Sequence, residues 1–372
     1  MQPFGFATAG RIVFGRGQFV EAAEMAASLG RRVFLVHGAS GRHIAPFLEA
    51  GKARGLVVTC HACPAEPDLS LLAVALTVAR NHGTECVVAI GGGAALDLGK
   101  AVAALLPAPG DPIDQLEVVG KGLPLERQPL PCLAVPTTAG TGAEVTRNAV
   151  IGVPEHGRKV SLRDARLIPD IALVDPALTD GAPRAVTLGS GLDAVTQVIE
   201  PYLSTRATPL TDAICRSAIP KGLKALARLM ATEDPDARDD LAYTSLCGGL
   251  ALANAGLGAV HGLAGVIGGA VPTAPHGAVC GVLLPHVLAA NRIACNDKTR
   301  FDEVDGAIRA ALGTSDLARW ASDQGLPSLS AMGVTPKMHA DIAEAALASS
   351  SMKANPAELP VGRLQEILAA AG

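Results

Sequence analysis

The chain has 372 residues, 49% hydrophobic and 18% charged, with a formal net charge of -4. This length supports roughly two domains of ordinary size, each with its own core, and the composition is that of a globular, water-soluble protein. With no basic run or Arg-rich stripe, the chain lacks the electrostatic footprint of a nucleic-acid binder.

The N-terminal stretch MQPFGFATAGRIVFGRG has no apolar core behind a basic segment, so it does not read as a secretory signal. The longest apolar stretches are broken by Gly, Pro or charge before the roughly 18 residues that a membrane span needs. A cytoplasmic protein without a membrane partner is the simplest expectation. The cysteines agree with it, since Cys86, Cys132, Cys215, Cys247, Cys280 and Cys295 are scattered singly. Cys60 and Cys63 form one C-x-x-C around His61. No second pair completes a zinc site and no helix pattern follows to activate a thiol, so the segment reads as a strand end entering a Pro-bearing loop.

In chain order, RRVFLVHG, ARGLVVTC, ECVVAIGGG and PCLAVPTT are apolar, β-branched runs that predict strands. Between the second and third lies LSLLAVALTVARNHG, whose apolar spacing and Gly stop predict an amphipathic helix. Strand, helix, strand at this spacing implies parallel strands with crossover helices. From about residue 183 the β signal fades, and helical text dominates at 190–204, 208–230, 238–269 and 337–350. The expected architecture is an α/β domain over 1–180 with a Rossmann-like parallel sheet, followed by an all-α domain over 181–372, the two packing closely around a cleft.

Three segments carry chemistry. In ECVVAIGGGAALDLGK a buried strand meets Gly91, Gly92 and Gly93 and then a helix opening near Ala94. Glycines permit close backbone approach, and the free N–H groups at the helix start favour a pyrophosphate. Asp97 either favours the helix dipole or touches a cofactor ribose. PTTAGTGAEVT again follows a strand, and Thr137, Thr138 and Thr141 offer hydroxyls either to a polar, planar ligand or to helix capping.

The third is a histidine pair, His261 and His276, in text nearly devoid of charge. With Asp193 on a neighbouring helix they compose a His-His-carboxylate set of the kind that suits Fe(II) or Zn(II). Gln197 stands one helical turn beyond Asp193, so one face presents a carboxylate and an amide together. Half a metal site and a plain polar face both account for that pair. His286, in LLPH, reads as a helix-start residue.

These segments together with RIVFGRG, RKVSLRDARLIPDIALVDPALT, GLDAVTQVIEPYLS, HGLAG and APHG resemble the iron-containing (group III) alcohol dehydrogenases almost end to end. That family shares its dehydroquinate synthase-like fold with glycerol dehydrogenase and maleylacetate reductase. Asp175, Pro183, Ser190, Asp193 and Glu200 keep its signature spacing. The resemblance implies an NAD- or NADP-dependent oxidoreductase that interconverts a small alcohol and an aldehyde or ketone, with the dinucleotide in the cleft. Gly92, Gly93 and Ala94 would hold the pyrophosphate, Ala94 replacing the family's usual Ser. Thr137, Thr138, Thr141 and Thr146 would line the nicotinamide half, with Lys159 and Leu178 closing over it.

The family's metal is held by an Asp and three His. Asp193, His261 and His276 fill three of these positions, and Gln197 occupies the fourth as a neutral, weaker donor. Either the three hold Fe(II) or Zn(II), or the site is metal-free and Gln197 hydrogen-bonds substrate; Asp193, Gln197, His261 and His276 are the catalytic candidates in both cases. The later His of the family's H-x-x-x-H is Gly265 here, so proton delivery falls to water at the ion, to ribose hydroxyls or to another residue. The run after RRVFLV carries His37, Gly38, Ser40 and Arg42 and no acidic residue, so NADPH should be tolerated. Few charged candidates besides Arg147 and Arg163 favour a small aldehyde or alcohol over a dicarboxylate. The alternatives are a metal-independent oxo-acid reductase like maleylacetate reductase, a non-redox lyase of the dehydroquinate synthase type, and a non-catalytic dinucleotide binder. By the resemblance, a homodimer paired through RIVFG is expected.

Overall fold

A computed structural model describes residues 3–108 and 110–372, and the backbone clusters into two units. The first comprises Ala7–Thr138 and Gly142–Thr179; the second contains Asp180–Gly372, the short segment Ala139–Thr141 and residues 3–6.

The first unit carries β1 (Arg11–Phe14), α1 (Ala22–Leu29), β2 (Arg32–Gly38), α2 (Ile44–Ala53), β3 (Val57–Cys63), α3 (Leu69–His82), β4 (Cys86–Gly91), α4 (Gly93–Leu105), β5 (Cys132–Pro136), β6 (Asn148–Val153), β7 (Arg158–Arg163) and β8 (Ile171–Val174). Among the described residues, six strands form one parallel sheet in the order β1-β8-β5-β4-β2-β3. The β-branched runs read from the sequence are β2, β3, β4 and β5. Period-two alternation sorts their side chains: Val33 and Leu35 pack with α1 and α2, whereas Phe34 and Val36 pack with α3 and α4. Helix α3 begins where Asp68 accepts a hydrogen bond from the Leu71 N–H (2.8 Å) and stops at Gly83, whose φ of 66° suits glycine. The sequence reading did not include β8 or the antiparallel β6–β7 hairpin.

The strand order reverses at β2. From there β3 lies to one side, while β4 returns on the other, which opens a crevice outside the carboxyl ends of β2 and β4. Open α/β sheets bind ligands at such a reversal. Gly38 and Gly91 end these two strands.

The second unit is helical: α5 (Arg184–Leu203), α6 (Pro209–Ala231), α7 (Pro235–Ala255), α8 (Ala259–Ala270), α9 (His276–Ala294), α10 (Thr299–Leu312), α11 (Leu317–Asp323), α12 (His339–Leu347) and α13 (Val361–Ala370). Helix α5 is buried around almost its whole circumference and packs against α6, α7 and α9. Its crossing with α9 is set by two glycines, because a Cβ on Gly277 would lie 2.4 Å from the Gly189 carbonyl oxygen. That close approach brings His276 over Asp193.

Three sequence expectations change here. The single helix expected over 238–269 is two, α7 and α8, bent by 99°; Gly256, at φ 74°, makes the break that an Ala/Gly-rich run does not announce. His286 lies inside α9 rather than at a helix start, just after the interior Pro285. Helix α9 is also long and apolar enough to cross a membrane by length and composition, with half of that window buried in the protein. Gly and Pro interrupt the text there but not the helix.

Candidate functional site

At the carboxyl end of β4 the chain turns directly into α4. A Cβ on Gly91 would lie 2.6 Å from Ala95 Cβ and 3.0 Å from the Gly38 nitrogen, so only glycine lets the turn pass beside β2. Gly92 is the N-cap of α4 and offers no side chain to its first-turn N–H groups. Gly92, Gly93 and Ala94 are half-buried. A 13-residue helix with uncapped donors at a sheet reversal has the donor geometry to hold an anion.

The segment after β5 flanks this turn. Thr137 donates its N–H to the Gly91 carbonyl (2.9 Å), and the Thr138 hydroxyl lies 3.3 Å from where a Gly92 Cβ would stand. Asp97, read as serving either the helix dipole or a ribose, and Thr146, expected at the nicotinamide half, both bond within the protein. The buried Lys100 ammonium lies 3.1 Å from Asp97 Oδ1 and donates to Thr146 Oγ1 (2.9 Å) and the Ala143 carbonyl (2.9 Å). The Val150 N–H donates to the other Asp97 oxygen at 3.1 Å. Lys100 also donates to the Asn148 carbonyl, and these four polar partners compensate the burial of its charge and tie α4 to the chain entering β6. Lys159 pairs with Glu66. Leu178 is buried, with its carbonyl 3.2 Å from His43 Nε2.

In the helical unit, Asp193 on α5, His261 in the first turn of α8 and His276 at the start of α9 converge. Their ligand atoms, together with Cys280 Sγ, all lie within 4.8 Å of one another. His261 Nε2 is 3.2 Å and His276 Nε2 4.0 Å from Asp193 Oδ1. Behind His261, Glu200 Oε2 lies 2.6 Å from Nδ1, and Glu200 Oε1 accepts from the Val260 N–H (2.7 Å). The contact at Nδ1 fixes the ring so that Nε2 faces Asp193, the arrangement of metal-ligating histidines. Gln197 is buried on α5, and its amide Nε2 donates to the Gly140 carbonyl at 2.8 Å.

The electrostatics favour positive charge here. Burial pushes His261 down, but attraction to Cys280 and Glu200 and its bond to Asp193 raise it well above its ordinary value. His276 is raised to about 9 by attraction to Cys280, against its burial. Burial pushes Asp193 up, yet the His261 hydrogen bond and the nearby histidine charges hold it below the usual carboxylate range. A largely buried set of a carboxylate, two imidazoles and a thiol that draws positive charge in this way has the chemistry of a divalent-cation site.

Sequence reasoning passed over Glu200 and Cys280 as functional residues. Each has a periodic signal: Glu200 lies seven residues beyond Asp193 on α5, and Cys280 four beyond His276 on α9, so each shares a face with a residue already singled out. The C-x-x-C lies on β3 as read; burial pushes the Cys63 thiol up to about 12, so it is not activated. Arg147 is exposed, and Arg163 pairs with Glu117 at 2.9 Å.

Comparison with known proteins agrees with this geometry. A family model described as iron-containing alcohol dehydrogenase matches residues 9–176, and one for the C-terminal part of the Fe-containing alcohol dehydrogenase family matches 187–372. The probable alcohol dehydrogenase EutG of Escherichia coli (strain K12) is 34% identical over 326 residues, covering 86% of this chain and 81% of its own. The 1,3-propanediol dehydrogenase of Klebsiella pneumoniae is 36% identical over 307 residues, 79% of this chain and 77% of its own. A crystal structure of 1,3-propanediol oxidoreductase superposes with a TM-score of 0.89 at 30% identity, covering 100% of both chains.

Proposed function

The chain belongs to the iron-containing alcohol dehydrogenase family, and from that premise we propose that it is an NAD(P)-dependent oxidoreductase interconverting a small alcohol and its aldehyde or ketone with the help of a divalent ion. The observation that carries the reading is the convergence of Asp193, His261 and His276, with Glu200 fixing the His261 ring. When bound, the nicotinamide exchanges a hydride with the substrate carbon and the ion polarises the substrate oxygen.

The residues divide that work. The N–H groups of Gly92, Gly93 and Ala94 bind the pyrophosphate. Thr137, Thr138 and Thr141 line the nicotinamide half, and Lys159 and Leu178 flank it. Asp97 and Thr146 act through Lys100, which braces α4 and the chain entering β6. Asp193, His261 and His276 hold the ion, and Gln197 supports the site through Gly140. The absence of an acidic residue after β2 supports use of NADPH as well as NADH. A homodimer joined through β1 is supported by its place at the sheet end, where β8 is its partner on one side only. The scattered free thiols support a cytoplasmic location.

The test is NADH and NADPH oxidation with short-chain aldehydes beside maleylacetate. Turnover of the aldehydes is expected. Turnover of maleylacetate alone would move the assignment to the oxo-acid reductases.

A further inference from the structure

Helix α9 brings one more donor to the Asp-His-His cluster than the resemblance assigns. Cys280 follows His276 by one helical turn, so both side chains leave the same face, and Cys280 Sγ lies 3.6 Å from His276 Nε2. The thiol is buried. Gln197, standing where the family carries its third imidazole, has its amide nitrogen bonded to the Gly140 carbonyl.

The spacing suits one ion. Tetrahedral zinc with bonds of about 2.0 Å to N or O and about 2.3 Å to S has edges of roughly 3.3 Å between O and N donors and roughly 3.5 Å between N and S donors. Three of the six edges are 3.2 Å for Asp193 to His261, 4.0 Å for Asp193 to His276 and 3.6 Å for His276 to Cys280, and the other three are within 4.8 Å. We propose that Cys280 Sγ, not Gln197, is the fourth protein donor, making Asp193, His261, His276 and Cys280 a zinc-type set.

The substitution changes the charge as well as the donor. An Asp with three imidazoles leaves a dication one positive charge in excess, whereas an Asp and a thiolate with two imidazoles balance it. Soft thiolate also favours Zn(II) over Fe(II). The His276 side chain is 34% exposed, so the cluster keeps an open side on which a substrate oxygen approaches as a fifth donor. The inference rests on the reading above that this cluster holds an ion.

The test is reconstitution of the chelator-treated full-length chain with Co(II), which takes zinc's place and reports its ligands by absorption. One Co(II) per chain and a thiolate-to-cobalt charge-transfer band in the near ultraviolet are expected. The band should persist in Cys60→Ser, which removes the exposed thiol of the C-x-x-C, and in Gln197→Ala. It should vanish in Cys280→Ser, with zinc affinity falling at least about 100-fold, the upper end of the loss seen on removing a residue that merely supports a ligand. Cys280→Ala gives the same reading if the serine variant does not fold. A bound Co(II) without the band, or a band that disappears with Cys60, overturns ligation by Cys280 and leaves the metal site standing. A native chain that binds no Co(II) overturns both.

Discussion

Glu200 and His261 are joined at 2.6 Å, and the same carboxylate accepts the Val260 N–H at the opening of α8. One buried side chain therefore caps a helix and sets the tautomer of a metal-ligand candidate, at the bend that separates α7 from α8.

Glu200→Gln tests that double role. The amide keeps the shape and can still accept from Val260, but it removes the charge behind His261. Zinc affinity should fall about 10- to 100-fold with the far-ultraviolet circular dichroism unchanged. Unaltered affinity would show that the carboxylate serves the helix alone.

Gln197→Ala should separate the amide's structural bond from metal binding. Leaving the buried Gly140 carbonyl without its donor costs about 1–3 kcal/mol of stability, measured by chemical denaturation. If Gln197 is instead a ligand, zinc affinity will drop as far as in Cys280→Ser.

Gly265 lies within α8, where an added Cβ meets no atom of the described residues within 4 Å. Alanine is better than glycine in a helix interior by about 0.8–1.0 kcal/mol, so Gly265→Ala should raise stability by up to that amount. Destabilisation would mean that the space beside Gly265 is needed by the fold.

Glu144 gives a pH signature. It is buried and its carboxyl is pushed from 4.5 up to about 7 by desolvation. Below pH 4.5 folded and unfolded chains both hold the proton. As pH rises from 4.5 to 7 the unfolded chain releases it first, so up to about 3 kcal/mol of stability is lost across that window and none returns above it. Glu144→Gln should therefore gain on the native protein as pH rises through the window and hold a constant lead beyond. A lead that does not vary with pH contradicts this placement of Glu144.

Much of the first unit was legible because its central strands are buried on both faces and read as β-branched runs, with Gly91 to Gly93 marking the turn. The hairpin was not, since RKVSLR is mostly polar and NAVIGV is a short run interrupted by Gly152. In the helical unit, Asp193, His261 and His276 stood out as polar residues in apolar text. Cys280 did not, because a buried thiol resembles any small core residue until the register of α9 is known. The break at Gly256 was hidden for a similar reason: Ala, Leu and Gly continue across it, and the bend comes from backbone conformation and from Glu200, which is distant in sequence.

The most direct test of metal-assisted alcohol and aldehyde chemistry is NADPH- and NADH-dependent aldehyde reduction measured before chelator treatment, after it, and after stoichiometric re-addition of Zn(II) or Fe(II). Activity should disappear with the ion and return with one ion per chain, more tightly for Zn(II) than for Fe(II). Full activity in a chain shown to be metal-free would contradict the account and place catalysis on the side chains of Asp193, Gln197, His261 and His276 alone.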